Sequence, residues 1–186
     1  VWDSLRYAFF QVASIISTTG FATADFVLWP HFSQMILVIL MFCGACAGST
    51  GGGIKCSRVV MLLRSIRREL HRIAHPRSVE VVRLDGKPVD ESTLHSVLVF
   101  IGFYILIILT AALVVSLDNV PFDVSFSAAL TCVSNVGPGL ATIGPSGNFA
   151  AFSPLSKVVL SLCMIIGRLE IFPILVLFSR HTWRRN

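Results

Sequence analysis

Apolar and polar positions along this chain fall into long blocks rather than narrow amphipathic stripes. Residues 97–117, VLVFIGFYILIILTAALVVSL, carry no charge. A helix of that length covers about 30 Å, one hydrocarbon thickness, so the run predicts a transmembrane helix, closed by Asp118-Asn119. A second span starts at 33–47, SQMILVILMFCGACA, and is interrupted by Gly48, Gly51, Gly52 and Gly53. Arg58, Arg64, Arg67 and Arg68 then carry it into water, so 33–72 reads as a broken membrane helix continuing into a basic helix. Residues 155–178 form a third span with Arg168 and Glu170 inside it. Its helix is expected to run to 180, kinked at Pro173 and anchored by Trp183.

Two apolar segments, 2–16 and 121–133, are too short to span. The second opens with Pro121 and carries Asp123 in its first turn, both helix-start signals. Each runs into a polar glycine stretch, STTGF at 17–21 and SNVGPG at 134–139. A short apolar helix followed by such a loop reads as a re-entrant hairpin, tolerated at membrane depth where it lines protein or a water-filled cavity. The segment 78–92, SVEVVRLDGKPVDES, alternates and carries Asp85-Gly86, which predicts a small β-hairpin.

The blocks repeat. An offset of 117 pairs Phe9 with Phe126, Ser17 with Ser134 and Gly20 with Gly137. An offset of 120 pairs Ser33 with Ser153, Val38 with Val158, Leu40 with Leu160 and Cys43 with Cys163. Two copies of one unit are therefore expected, a half-helix, a polar loop and a full span, with 97–117 as the leading span of the second. The first copy shows no leading span, and the chain starts Val1-Trp2-Asp3 with no signal segment, so it is expected to be part of a longer polypeptide.

Composition agrees with the blocks. Of 186 residues, 54% are hydrophobic and 13% charged, against about 25% charged in soluble domains, and the mean hydropathy is +0.78. Nine of the 15 Lys and Arg lie between Lys55 and Lys87, with Arg180, Arg184 and Arg185 near the end. Clusters beside apolar spans mark the cytoplasmic side. With loop 55–95 and the C-terminus inside, both polar loops dip in from the outside. The basic residues flank apolar spans without interleaved aromatics, which argues against a nucleic-acid partner. The basic stretch 58–77 is expected to meet anionic lipid headgroups or a cytoplasmic subunit. The five cysteines are odd in number and lie mostly in apolar surroundings, so no disulfide framework is implied. Cys43-Gly-Ala-Cys46 has redox spacing but lacks the βαβ context.

A dehydrated cation needs oxygens in place of its water, and main-chain carbonyls at a glycine turn supply them. The half-helix before each loop aims its partly negative end at that turn. Thr18, Thr19 and Gly20, with Asn135, Val136 and Gly137, are the expected ion-binding residues. The motifs Ser17-Thr18-Thr19-Gly20-Phe21, Gly48-Ser49-Thr50-Gly51-Gly52-Gly53-Ile54-Lys55, Ser134-Asn135-Val136-Gly137-Pro138-Gly139 and Gly167-Arg168-Leu169-Glu170 resemble those of the TrkH-type proteins, in the Trk/Ktr/HKT superfamily of potassium transporters.

The resemblance covers essentially the whole chain and implies an all-α membrane protein of membrane–pore-loop–membrane repeats, potassium-channel-like and pseudo-fourfold, with a small cytoplasmic β-hairpin. On that reading 1–72 is the third repeat without its outer helix (pore helix 2–16, filter 17–21, broken inner helix 33–72). A cytoplasmic loop follows at 73–96. The fourth repeat is 97–186 (outer helix 97–117, pore helix 121–133, filter 134–139, inner helix 155–180). The first two repeats and the third outer helix are missing from the chain. The implied function is potassium uptake across the bacterial cytoplasmic (inner) membrane, with K⁺ as the transported ion and no organic cofactor. The implied partners are the missing repeats, a second copy in a homodimer, and a cytoplasmic nucleotide-binding regulatory subunit of the TrkA/KtrA kind.

Residues 48–55 approach the phosphate-loop spacing, but Ile54 stands where that motif needs Lys. Small-residue helix packing accounts for Gly44 and Gly48 better than for three glycines in a row. The expected alternative is a flexible loop across the pore, with Gly48, Gly51, Gly52, Gly53 and Arg168 as the gate. Arg168 falls opposite Gly48 at the offset of 120 and would repel K⁺ from the path. An ion pair to another span is the structural alternative for Arg168. His71 and His75 are spaced i,i+4 but read as a solvated face rather than a metal site. An enzyme would need buried His, Asp or Ser pairs at span depth, where the spans offer Lys157, Arg168 and Glu170. A structural membrane subunit or an intramembrane enzyme is the rival class.

Overall fold

A computed structural model describes residues 2–44, 46, 49, 51–75 and 81–169. Helix α1 spans Trp2–Ile16, α2 His31–Phe42, α3 Cys56–Ala74, α4 Glu91–Val115, α5 Phe122–Ser134 and α6 Pro154–Arg168. Two short sheets join them, β1 (Cys43–Gly44) with β2 (Ile54–Lys55), and β3 (Arg83–Leu84) with β4 (Lys87–Pro88).

Several boundaries differ from the sequence pattern. Helix α4 starts at Glu91, six residues before the uncharged run, because its polar first turn, Glu91-Ser92-Thr93, can begin outside the apolar segment. With its terminal 3-10 turn this helix reaches Asp118 and is the one among the described residues long and apolar enough to cross a membrane. Only 33% of its most apolar window is buried, so an almost wholly apolar helix keeps most of its surface outside the protein interior. Helix α2 ends at Phe42, six residues before Gly48, and α3 resumes at Cys56. The cause is parallel pairing of Cys43 with Ile54 and of Gly44 with Lys55, which turns the chain off the helix axis before the glycines begin. In the hairpin, Asp85 and Gly86 both take positive φ, 50° and 77°, the type I′ geometry that Asp-Gly favours. The expected inner helix beyond Leu169, with Glu170 and Pro173, lies outside the described residues.

Helix α5 is the centre of the packing. It is wrapped by α4, α6 and α2, and ten of its 13 residues are buried. Helix α1 packs on α2 and buries only Gln11, Ser14 and Ile15. Trp2 and Phe9 stand 81% and 73% exposed, so most of the apolar surface of α1 faces away from the described protein.

Candidate functional site

The two half-length helices end in the same turn. In the first, Thr19 N–H donates to Ser14 C=O at 2.9 Å and Thr18 N–H to Ile15 C=O at 3.0 Å. In the second, Val136 N–H donates to Thr131 C=O at 3.0 Å and Asn135 N–H to Cys132 C=O at 3.3 Å. Each pair is a Schellman closure, and every donor and acceptor corresponds at the offset of 117. The left-handed residue of that closure is usually glycine. Here it is Thr18 (φ 54°) and Asn135 (φ 56°). Asn accepts this conformation readily, whereas a β-branched Thr is strained by about 1–2 kcal/mol. Gly20 (φ 77°) and Gly137 (φ 113°) follow two residues later.

Side chains hold both turns from behind in matching fashion. The Ser14 hydroxyl donates to Phe21 C=O at 2.6 Å. Its counterpart Thr131 donates to Pro138 C=O at 3.0 Å, and its oxygen accepts from Gly137 N–H at 2.9 Å. Ser127 Oγ adds an acceptor for Leu140 N–H at 3.1 Å. Neither α1 nor α5 carries a basic residue in its last turn. The partial negative charge at each helix end is thus left uncompensated by its own helix, a setting that favours a cation.

The loops meet. A Cβ on Gly20 would lie 2.0 Å from the Val136 carbonyl oxygen, so only a bare Cα fits against the second loop there. On the other side of the second loop, a Cβ on Gly52 would come within 2.2 Å of Ser134 C=O, and one on Gly167 within 1.9 Å of Val133 C=O. Asn135 Nδ2 donates to Met164 C=O of α6 at 3.2 Å. The end of α5 is therefore pressed between the glycine-rich loop, the last turn of α6 and the first polar loop.

Gly51, Gly52 and Gly53 are all half-buried or buried, and Gly51 N–H donates to Ser49 Oγ at 3.2 Å. Gly48 lies outside the described residues. Arg168 is the last residue of α6 and its side chain is exposed. Its neighbour Gly167 lines a space of about 10 Å³ with Gly51, Gly53, Lys55, Arg58, Phe100 and Tyr104, directly beneath the end of α5. On the opposite side, Gly20, Phe21, Gly137, Pro138 and Phe149 are among the residues bounding an open cavity of about 510 Å³. Among the described residues, no group of three or more His, Cys, Asp or Glu is placed to hold a metal ion. His71 and His75 stack at 4.8 Å.

The sequence pattern missed one participant, and the backbone or contacts of three others. Tyr104 Oη lies 2.7 Å from Ser134 Oγ with both groups buried, and its ring packs on Phe42 and Phe100. The only signal was a polar tip inside an uncharged run. Gly167 was visible in the Gly167-Arg168-Leu169-Glu170 motif, but not its closeness to Val133 C=O. Thr18 and Asn135 gave no sign of a left-handed backbone, which sequence reading assigns to glycine first. Just past the uncharged run, the Asp118 carboxylate accepts from Ser153 N–H at 3.0 Å, tying the end of the long helix to the start of α6.

Matched helix-end turns, free of basic side chains and pressed against a glycine loop, make an all-helical site whose uncompensated helix ends favour a cation. A family model described as TrkH, cation transport protein, matches residues 2–184, and the chain belongs to that family. It is 38% identical to the Trk system potassium uptake protein TrkH of Salmonella typhimurium, over 99% of this chain and 38% of the relative. It is 34% identical to TrkG of Escherichia coli strain K12, another Trk system potassium uptake protein, over 97% of this chain and 37% of the relative. The crystal structure of the potassium transporter TrkH from Vibrio parahaemolyticus matches with a TM-score of 0.86 at 35% identity, over 98% of this chain and 39% of that one. The chain thus spans less than two fifths of these relatives.

Proposed function

We propose that the protein carrying this chain takes up potassium across the bacterial cytoplasmic membrane, and that this chain supplies the third and fourth of four membrane–pore-loop–membrane repeats around one pore. The observation that carries the reading is the match between the two loops, closed by the same hydrogen bonds at an offset of 117 and touching at Gly20 and Val136. Relatives named as potassium uptake proteins support the choice of ion. K⁺ is the cargo, held mainly by carbonyls of Thr18, Thr19, Gly20, Asn135, Val136 and Gly137.

The glycine loop is the gate on this reading. The close approach of Gly52 to Ser134 C=O supports a position directly below the second filter loop. Gly48, Gly51, Gly52 and Gly53 supply backbone freedom, and Arg168 adds a positive barrier. The β3–β4 hairpin and α3 lie on the cytoplasmic side, in keeping with the basic cluster. The exposed apolar face of α1 is covered by lipid and by the further repeats of the longer polypeptide. Partners are a second copy in a homodimer and a cytoplasmic nucleotide-binding regulatory subunit. The activity is transport, and no residue is assigned a catalytic role.

The test is uptake by the full-length polypeptide in a potassium-uptake-deficient strain. Gly20→Ser is expected to lower preference for K⁺ over Na⁺, and unchanged selectivity removes Gly20 from the filter. Arg168→Ala is expected to raise K⁺ flux, and unchanged flux in a well-expressed variant removes it from the gate.

A further inference from the structure

We propose that α3 and the adjoining hairpin form a headgroup site for an anionic phospholipid of the cytoplasmic leaflet. The inference rests on the membrane placement just given, with α3 at the inner interface.

Helix α3 has two faces. Met61, Ser65 and Arg68 are buried, and α3 packs against α4. Leu63, Ile66, Leu70 and Ile73 are 60%, 47%, 63% and 79% exposed. Their spacing of three, four and three residues puts them on one side of the helix. An apolar stripe on a basic helix beside a membrane span is the pattern of a helix lying in the interface plane, its apolar side at the acyl boundary.

Beside that stripe is a cavity of about 270 Å³ bounded by Arg64, Arg67, Arg68, Val81, Val82 and Arg83. Arg67 falls four residues after Leu63 and three before Leu70, so the stripe and the cavity share an edge. The hairpin is held in place by buried Val82 and by Arg64, which donates to Arg83 C=O. Of the four guanidiniums, Arg68 is paired with Glu91 and Glu69. These two carboxylates leave positive charge in excess. Arg68 is 8% exposed, and its buried Nε–H has no acceptor. Arg67 forms no hydrogen bond or ion pair among the described residues.

A phosphodiester fits this arrangement. Its two free oxygens match guanidinium forks, and its acyl chains continue along Leu63, Ile66 and Leu70. A free phosphate would use the arginines and leave the stripe bare, which is why the lipid is the occupant.

The experiment uses the purified full-length polypeptide in phosphatidylcholine vesicles with and without phosphatidylglycerol. Retained lipid is read by native mass spectrometry after mild delipidation, and potassium flux is read in the same vesicles. Wild-type protein is expected to retain phosphatidylglycerol over phosphatidylcholine. Arg67→Gln with Arg83→Gln, both exposed positions, is expected to lower that retention roughly tenfold, and Leu63→Ser with Leu70→Ser several-fold. Arg67→Lys with Arg83→Lys, which keeps charge but loses the forks, is expected to fall between. Equal retention of the two lipids by wild type, or retention untouched by the arginine variants, overturns the proposal. Displacement by inorganic phosphate with the leucine variants indistinguishable from wild type overturns it in favour of a free-anion site. Lipid preference without potassium flux leaves the site standing and removes the transport reading, while flux without lipid preference does the reverse.

Discussion

The two polar loops have one backbone and two environments. Thr18 and Asn135 share a left-handed φ within 2°, and the hydrogen bonds closing each turn correspond atom for atom. Yet Ser17 is exposed, while its counterpart Ser134 is fully buried against Tyr104. Phe9 stands 73% exposed, while its counterpart Phe126 packs on Phe42 and Phe122. The turn is thus local chemistry, fixed by a helix end and the residues just after it. Rigidity is not local, because it depends on what wraps the helix. The second loop is clamped by α4 and α6, and the first is held mainly by its own hydroxyls.

The strongest way to break the pairing is at the point of contact. Gly20→Ala adds a Cβ 2.0 Å from Val136 C=O in a left-handed backbone, so it disturbs both loops with one substitution. Uptake is expected to fall roughly tenfold or more, combining backbone strain with a displaced carbonyl. Gly137→Ala meets no atom within 4 Å and acts through backbone alone, so its loss should stay within one loop. A Gly20→Ala protein with wild-type flux and selectivity would separate the loops and sink the shared pore.

Tyr104→Phe probes the clamp. It leaves the Ser134 hydroxyl buried without Tyr104, a change of about 1–3 kcal/mol in stability. Thermal unfolding in detergent reads that cost. Selectivity reads whether the clamp also sets the second loop's geometry. Ser134→Ala combined with Tyr104→Phe should cost less than the sum of the two single changes.

Much of this was legible in the chain because blocks of apolar residues and their breaks map directly onto helices and turns. The uncharged run 97–117, the short segments before STTGF and SNVGPG, and Asp85-Gly86 each mark an element by local chemistry. What the pattern missed depends on tertiary contact. The helix break at Phe42 follows from parallel pairing with Ile54-Lys55, a partner eleven residues away in sequence at Cys43 and Ile54. Gly52 was visible as a helix breaker and Gly167 as part of a motif, but their role in admitting the end of α5 depends on the packing of α6 and the loop. Tyr104 looked like one more apolar residue because its partner, Ser134, lies 30 positions on.

The left-handed position offers a smaller and signed contrast. Thr18→Gly removes the strain of a β-branched residue and breaks no side-chain hydrogen bond to another helix among the described residues, so a gain of about 1 kcal/mol is expected. Asn135→Gly relieves less strain and removes the donor to Met164 C=O, so it should be neutral or destabilising by about 1 kcal/mol. Opposite signs in thermal unfolding support an external tie at the second loop alone. Equal gains at both positions would show that Asn135 holds α6 no more firmly than Thr18 does.

The smallest expected effect is at Ser17. Its hydroxyl donates to Ala13 C=O at 2.7 Å and lies 2.7 Å from Thr19 Oγ1, all at an exposed site. In Ser17→Ala, water can replace the lost partner for both groups, so stability should shift by no more than about 0.5 kcal/mol. The same deletion at its counterpart Ser134 strands the Tyr104 hydroxyl in a buried site, where no water replaces it. A Ser17→Ala cost matching that of Ser134→Ala would mean that the first loop is as enclosed as the second in the full-length polypeptide, with the added repeats doing for α1 what α4 and α6 do for α5.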